Sequence, residues 1–531
     1  MSEKIAQLWP EITLAITATL IMILGLSPKE HLRKATPWLA AIALLFAILI
    51  ASISMAQDGS EAFPQYIKIT IAAIGILLLG VIQGTPESLK IAKQTDSHKI
   101  KFDPANVVAG EFYAFFLMSI VGAMLCASAT DLPWLFLALE LTSLPTYVMI
   151  AISKDNANAQ EASVKYFFLG ALSAACFLYG FTLIYGATGH TQFTQIQIET
   201  QIQLTSGRLS PLFIAGMLLS VLGIAFKIAA APMHFYTADV YQGAATGLAA
   251  FLAFIPKTAG FVSLILVLNL LGTDPSSSIW NPQSPAHVII TLIAILAAIT
   301  MTLGNVMGII QKTNVKRVLA YSSIAHSGYL MLGLVAGPYA TSENQAMGNG
   351  LAGILYYLIA YALANLAAFA VLASITHNNR EAQTYQDLAG LRTKSKPLFI
   401  VMVLAMLSLM GLPPLMGFNG KAFLFGSASA QGYHWLVILG VVNSAISAVY
   451  YLRIISTCYF EPTLATTQVD THKVRHYAAY LASACSVLFF LNSSGLIDQA
   501  SKATLSIDHS SKKQPLQTTE KQLIKEKITQ K

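Results

Sequence analysis

Five ionisable side chains stand where their neighbours offer no water: Glu140, in Leu-Phe-Leu-Ala-Leu-Glu140-Leu-Thr-Ser-Leu, and Lys165, Lys227, Lys257 and Lys421, each inside an apolar run. Placing a charge at the centre of a membrane helix costs roughly 2.5 to 3.5 kcal/mol even on the lenient insertion scale. With one acid for four bases, most of these lysines would lack a permanent counter-charge and would need water or proton loss instead. A buried carboxylate beside a buried lysine keeps both ionised, and a lysine whose carboxylate withdraws is left desolvated and ready to release its proton. The chemistry that this pattern points to is a proton relay. The competing reading is a set of static ion pairs that hold helices together.

Two histidines are candidates for the same chemistry. His326 follows the hydroxyl run Tyr321-Ser322-Ser323, and imidazole exchanges protons near neutrality; a packed hydrogen-bonding histidine is the alternative. His234, just past Pro232, is either an entry group or a hydrogen-bonding residue at a helix break. Asp239 on the same connection is expected to cap the short helix that follows. Arg453, near a helix end, is expected to snorkel.

The elements that must position these groups are membrane helices. The 531 residues are 55% apolar and only 11% charged, against roughly 25% charged in soluble proteins. Apolar stretches long enough to cross about 30 Å of hydrocarbon recur along the chain. About 14 are expected, near 8–26, 37–57, 66–84, 110–128, 132–153, 163–187, 211–231, 240–273 (a short piece, then a span), 287–309, 317–337, 350–375, 397–427 (broken), 434–459 and 477–495. The first starts only after Pro10 and no small-residue cleavage site follows, so it is expected to be a retained helix.

The net charge of +7 sorts by loop: 17 Lys and Arg follow odd-numbered spans, against Lys4, Lys68 and Arg208 on the opposite side. The positive-inside rule then puts the odd loops in the cytoplasm and the N-terminus outside. The tail from Ser501 carries seven lysines on the wrong side for that rule and shows no apolar period, so a disordered segment or a surface helix is expected. Four scattered cysteines have no metal or redox spacing, and no phosphate loop is present, so metal, electron carrier, nucleotide and nucleic acid find no support.

A weak internal echo pairs Ser143–Ile152 with Ser323–Leu332, Tyr166–Tyr185 with Tyr356–Ile375, and Ala231-Pro232-Met233 with Pro413-Pro414-Leu415, at offsets of about 180 to 190 residues. Two inverted five-helix repeats are expected, with helices broken at Pro232 and at Pro413-Pro414, a pattern that points to an ion path near the midplane. Freed carbonyls at such breaks need protein or water, and Lys227 and Lys421 lie beside them. The expected organisation is three helices in 1–104, a first repeat in 105–273, a second in 287–460, one further helix in 461–496 and a polar tail in 497–531.

Lys165-Tyr-Phe-Phe-Leu-Gly-Ala171, Phe226-Lys227-Ile-Ala-Ala230, Pro232-Met-His234, Asp239-Val-Tyr-Gln-Gly-Ala244, Pro256-Lys257-Thr-Ala-Gly-Phe261, Lys316-Arg-Val-Leu-Ala-Tyr-Ser-Ser-Ile-Ala-His326 and Leu412-Pro-Pro414 with Gly420-Lys421 together resemble the antiporter-like membrane subunits of respiratory NADH–quinone oxidoreductase (complex I). The resemblance spans about residues 105 to 460 and is closest to the N type. It implies an all-α, antiporter-like fold and a proton-translocating subunit with Glu140 and Lys227 as the glutamate–lysine pair, Lys257 as central relay, Lys421 as outlet and Lys165 as an additional lysine. It also implies other complex I membrane subunits and the lipid bilayer as partners, and a bacterial inner membrane as location. No cofactor is implied in this chain, while the complex as a whole uses NADH, FMN, iron–sulfur clusters and quinone. The related alternative is a subunit of a sodium/proton antiporter or membrane-bound hydrogenase complex.

Overall fold

The structure, a computed structural model, describes residues 7–27, 29–57, 62–83, 109–152, 157–205, 209–271, 279–338, 348–377, 380–463, 467–470 and 472–512. Apolar residues on nearly every face, rather than on one stripe, mark its helices as lipid- or core-embedded. In chain order they are α1 (Trp9–Gly25), α2 (Glu30–Gln57), α3 (Ala62–Ile82), α4 (Ala109–Ala127), α5 (Leu132–Ala151), α6 (Ala157–Thr188), α7 (Phe193–Thr205), α8 (Pro211–Lys227), α9 (Thr237–Gly243), α10 (Thr246–Leu268), α11 (His287–Ile310), α12 (Val315–Ala336), α13 (Gly350–Ala373), α14 (Lys396–Met410), α15 (Met416–Ala430), α16 (His434–Phe460), α17 (Lys473–Leu491) and α18 (Ser493–Lys512). A small sheet of β1 (Ile375–His377), β2 (Arg380–Glu381) and β3 (Thr467–Val469), in the order β2-β1-β3, ties the loop after α13 to the loop before α17.

Among the described residues, 11 helices are long and apolar enough to cross a membrane. The three other expected spans fall on α1, α8 and α14, which are apolar but only 17, 17 and 15 residues long. Two of these three, α8 and α14, end at breaks. After Lys227 the chain turns through Ala229 at φ 55° and resumes as α9; after Met410 it turns through Gly411 at φ 86° and resumes as α15. Both connections contain a cis X–Pro bond, Ala231–Pro232 and Pro413–Pro414.

The centre of the bundle is α10, buried along its whole membrane window, flanked by α12 and α13, each 94% buried there. By contrast α2, α6, α16 and α17 bury about a third of theirs and carry the outward faces. Gly260, one turn beyond Lys257 on α10, sets the approach of α8: a Cβ there would lie 2.6 Å from Ile228 Cγ2 and 3.1 Å from Lys227 Cβ. Only glycine allows the broken end of α8 to rest on α10 at that level.

Three basic residues assigned to loops from the sequence are instead buried. Lys68 lies in α3 and pairs with Glu11 at 2.8 Å. Lys316 donates to the carbonyls of Ala244 (2.6 Å) and Gln242 (3.3 Å), closing the C-terminal end of α9. Arg475 donates to Val81, Ala373 and Gln83 carbonyls and to Asp470, so one guanidinium caps both α3 and α13. Helix C-termini present unpaired carbonyls and a partial negative charge, and cations satisfy both. Arg453 follows the same rule, donating to Ile309 and Gln311 carbonyls at the end of α11.

The start of the tail also differs from expectation. Residues 493–512 form α18, which buries Ile497, Ala500, Ala503 and Thr504 against α3 and α13. Small residues at helical spacing let it pack closely, and Asn349 and Phe63 fix it by bonds to Thr504 and Ser506. Residues 513–531 lie outside the described chain.

Candidate functional site

The buried charges converge on the α8 and α14 breaks and on α10 between them. Lys227, the last residue of α8, is 4% exposed; its Nζ donates to Glu140 Oε1 (3.1 Å), to Ser143 Oγ (2.5 Å) and to the Leu139 carbonyl (3.5 Å). Glu140 and Ser143 lie on one face of α5 because they are three residues apart. Pro145 interrupts that helix and leaves the Leu141 carbonyl without its helical donor. The Glu140 side chain keeps 18% exposure, so the carboxylate is the less enclosed partner of the pair.

Lys257 is 2% exposed at the centre of α10, directly after Pro256. Among the described residues, no carboxylate pairs with it. Its Nζ donates to the Ser323 carbonyl (2.6 Å) and Oγ (2.8 Å), and lies 4.4 Å above the Tyr361 ring. A small cavity joins Lys227 to Lys257; its remaining wall includes Tyr166, Tyr236, Thr237, Tyr241 and Leu252. Thr237 Oγ1 is buried there without a partner among the described residues, and a polar site of this kind is where buried water belongs. Pro256 leaves the Leu252 carbonyl unpaired along the same wall.

Beyond Lys257 the groups are neutral. Ser323 Oγ also meets Tyr241 OH at 3.2 Å, and adjacent Ser322 Oγ meets Tyr451 OH at 2.5 Å. His326, one turn along α12 and 2% exposed, spans two phenols: Nδ1 to Tyr357 OH at 2.6 Å and Nε2 to Tyr451 OH at 3.0 Å. An imidazole between two hydroxyls can take a proton on one nitrogen while releasing one from the other. Lys421, 4% exposed on α15, returns to the break that precedes it, donating to the Met410 carbonyl (2.9 Å) and to Ser444 Oγ (2.8 Å), with Tyr329 4.8 Å below. It thereby satisfies a carbonyl at the end of α14.

Glu140, Lys227, Lys257 and His326 therefore form one file, linked through Ser143, the small cavity, the adjacent Ser323 and Ser322, and Tyr451, and Lys421 approaches it through Tyr329, whose ring lies against both Lys421 and His326. Lys165 stands apart. Its side chain is 42% exposed and has two carboxylates, Glu161 at 2.6 Å and Asp239 at 2.7 Å, so the expectation of a lysine without a counter-charge does not hold there. Asp239 does not cap α9 with its side chain; it bridges Lys165 and Arg317 (2.9 Å), and the Arg317 guanidinium also reaches Gln242. His234 is half-buried beside the exposed Phe235 ring, with Nδ1 unpartnered, and does not line the cavity.

The tyrosines that connect the file were missed in the sequence because aromatic residues are ordinary in apolar helices. A signal existed in Tyr357 and Tyr361, four residues apart, and in the Tyr450-Tyr451 pair. The internal echo carried another: Ser143 and Ser323 open the two echoed segments, and each accepts from a buried lysine.

Residues 129–447 match the family described as NADH:quinone oxidoreductase/Mrp antiporter, TM. The NADH-quinone oxidoreductase subunit N of Trichlorobacter lovleyi is 36% identical over 85% of this chain and 87% of its own length. A chain of respiratory complex I from Thermus thermophilus, solved with bound aureothin, superposes with a TM-score of 0.72 at 28% identity, covering 93% of this chain and 99% of that one. A chain of the Mrp complex from a Dietzia species gives 0.75 at 16% identity over 96% and 98%, a likeness of fold alone.

Proposed function

Because the chain belongs to the NADH:quinone oxidoreductase/Mrp antiporter membrane family, we propose that it is a proton-translocating subunit of NADH–quinone oxidoreductase, with the file from Glu140 to Lys421 as its relay. It is a multi-pass membrane protein that works beside the other membrane subunits of complex I, with the start of α1 on the outer side of a bacterial plasma membrane. The redox groups of that complex, FMN, iron–sulfur clusters and quinone, belong to its other subunits, and this chain supplies the path for charge. The likeness to a sodium/proton antiporter complex extends to fold.

The observation that carries the reading is the asymmetry of the file: Lys227 has a carboxylate at 3.1 Å, whereas among the described residues Lys257 and Lys421 have only neutral acceptors. A paired lysine at one end holds its proton until its partner moves; unpaired lysines further along pass it on. Charge displaced by quinone reduction elsewhere in the complex draws Glu140 from Lys227. The Lys227 ammonium then releases its proton across the cavity to the Lys257 amine, which regenerates its own neutral form by passing a proton through Ser323, the adjacent Ser322, Tyr451 and His326 towards Lys421. Each charge moved against 100 mV requires about 2.3 kcal/mol, within reach of one ion-pair rearrangement. The two five-helix repeats fit this account, with one break and one lysine beside it in each.

The test is Lys227→Ala in membranes with an assembled complex, reading proton pumping and NADH–quinone turnover together. Loss of both with assembly intact supports the relay. Unchanged pumping and turnover sink it.

A further inference from the structure

A second buried acid–base pair lies outside the file, in the four helices that precede the matched family region. Glu11 on α1 and Lys68 on α3 are 2% and 1% exposed, and Lys68 Nζ reaches Glu11 Oε1 at 2.8 Å and the Gln7 carbonyl at 2.7 Å. Ser128, in the turn between α4 and α5, points its hydroxyl at the same carboxylate oxygen at 3.4 Å. The pair sits at the end of the bundle where α1 and α3 begin and α4 ends, the lysine-poor face.

Three buried polar atoms of these helices have no partner among the described residues: Glu11 Oε2 and both amide atoms of Gln65, which is fully buried on α3. Gln65 and Lys68 share a face of α3, being three residues apart. An unsatisfied buried donor or acceptor costs about 1 to 3 kcal/mol and a carboxylate oxygen more, so three together in one small region demand a ligand able both to donate and to accept. Water is that ligand. A purely structural pair has no need of it, since a buried ion pair replaced by apolar residues of like volume is often neutral or stabilising.

We propose that Glu11, Lys68 and Gln65 form a second, water-holding proton-exchange site, buried near the lysine-poor face and separate from the Glu140–Lys421 file. The proton moves from the Lys68 ammonium through a bound water, held also by the Gln65 amide, to Glu11 Oε2, leaving a neutral amine and a carboxylic acid, and returns the same way; no bond other than N–H and O–H changes. Its position against the turn that leads into α5, the helix of Glu140, makes it a terminus for protons of the same subunit, and in this it rests on the relay reading above.

Two measurements test it on the intact complex. A density map of the native assembly, at a resolution that shows ordered water, is expected to hold water within hydrogen-bond distance of Glu11 Oε2 and of the Gln65 amide; a dry site overturns the proposal without any variant. In the second, Glu11→Gln/Lys68→Met removes both charges and avoids leaving one unpaired. Loss of protons moved per NADH oxidised, in a normally assembled complex, is expected, and an unchanged ratio overturns the proposal. Glu140→Gln/Lys227→Met measured alongside separates the two ideas: a loss there with none here sinks the second site alone, whereas no loss there sinks the file while the map still decides the water site.

Discussion

Replacing Glu140 by Gln keeps the shape of the side chain and an oxygen acceptor for Lys227 but removes the charge. At 3.1 Å and an effective dielectric of about 20, the lost attraction is about 5 kcal/mol. The 18% exposure of Glu140 screens part of this, yet about half that value still equals the ~2.3 kcal/mol needed to move a charge against 100 mV. The remaining bonds to Ser143 Oγ and the Leu139 carbonyl are to neutral acceptors and do not replace a counter-charge. Lys227 then stays neutral through the cycle and has no proton to pass to Lys257. A deficit of that size corresponds to a loss in pumping rate of at least about tenfold. The assay is reconstitution of the purified complex in vesicles, with a pH-sensitive dye for proton movement, NADH oxidation for turnover and subunit composition as the assembly check. Pumping and turnover within about twofold of the wild type would refute the reasoning, because a 5 kcal/mol change at the gate cannot be silent.

Arg475→Leu leaves the carbonyls of Val81, Ala373 and Gln83 and the Asp470 carboxylate without their shared donor. A stability loss of about 3 to 5 kcal/mol follows from breaking a buried charged network, read as a lower thermal transition and reduced assembly of the complex. Gly411→Ala places a Cβ 2.9 Å from Lys421 Cδ at a residue with φ 86°. The left-handed conformation alone costs a side-chain-bearing residue roughly 1 to 2 kcal/mol; displacement of Lys421 should add a fall in pumping larger than the fall in assembled complex. Equal falls in the two would mean that Gly411 serves the fold and not the lysine.

The parts of the site visible in the sequence were those that violate the membrane's preference. Glu140, Lys227, Lys257 and Lys421 stood out because a charge inside an apolar run must have a reason; the structure places Lys227 and Lys421 beside the breaks expected at Pro232 and Pro413-Pro414, and Glu140 and Lys257 on helices that contain Pro145 and Pro256. Lys68, Lys316 and Arg475 did not stand out, because they lie within a turn or two of a span end, where the sequence cannot distinguish a residue that snorkels to water from one that turns inward to cap a helix. Lys165 misled for the opposite reason: its neighbours in the chain are apolar, but its counter-charges come from Glu161 one turn back and from Asp239, 74 residues on. The buried face of α18 was overlooked because Ile497, Ala500 and Thr504 are sparse and small among polar neighbours. The neutral links, Ser323 with Tyr357, Tyr361 and Tyr451, depend on which helices meet, and that is settled by packing.

Lys257→Met tests the central claim most directly. Lys257 has no carboxylate partner among the described residues, so its loss breaks no ion pair: two hydrogen bonds from the resting amine to Ser323, worth about 0.5 to 1.5 kcal/mol each, are traded against release from the cost of burying that polar group, about 1 to 3 kcal/mol. The complex should therefore assemble with near-native stability. The measurement is protons moved per NADH oxidised in the assembled complex carrying this substitution. A lost or strongly reduced ratio at normal assembly is the predicted result; an unchanged ratio would contradict the relay and leave these charges as the static supports of a membrane scaffold.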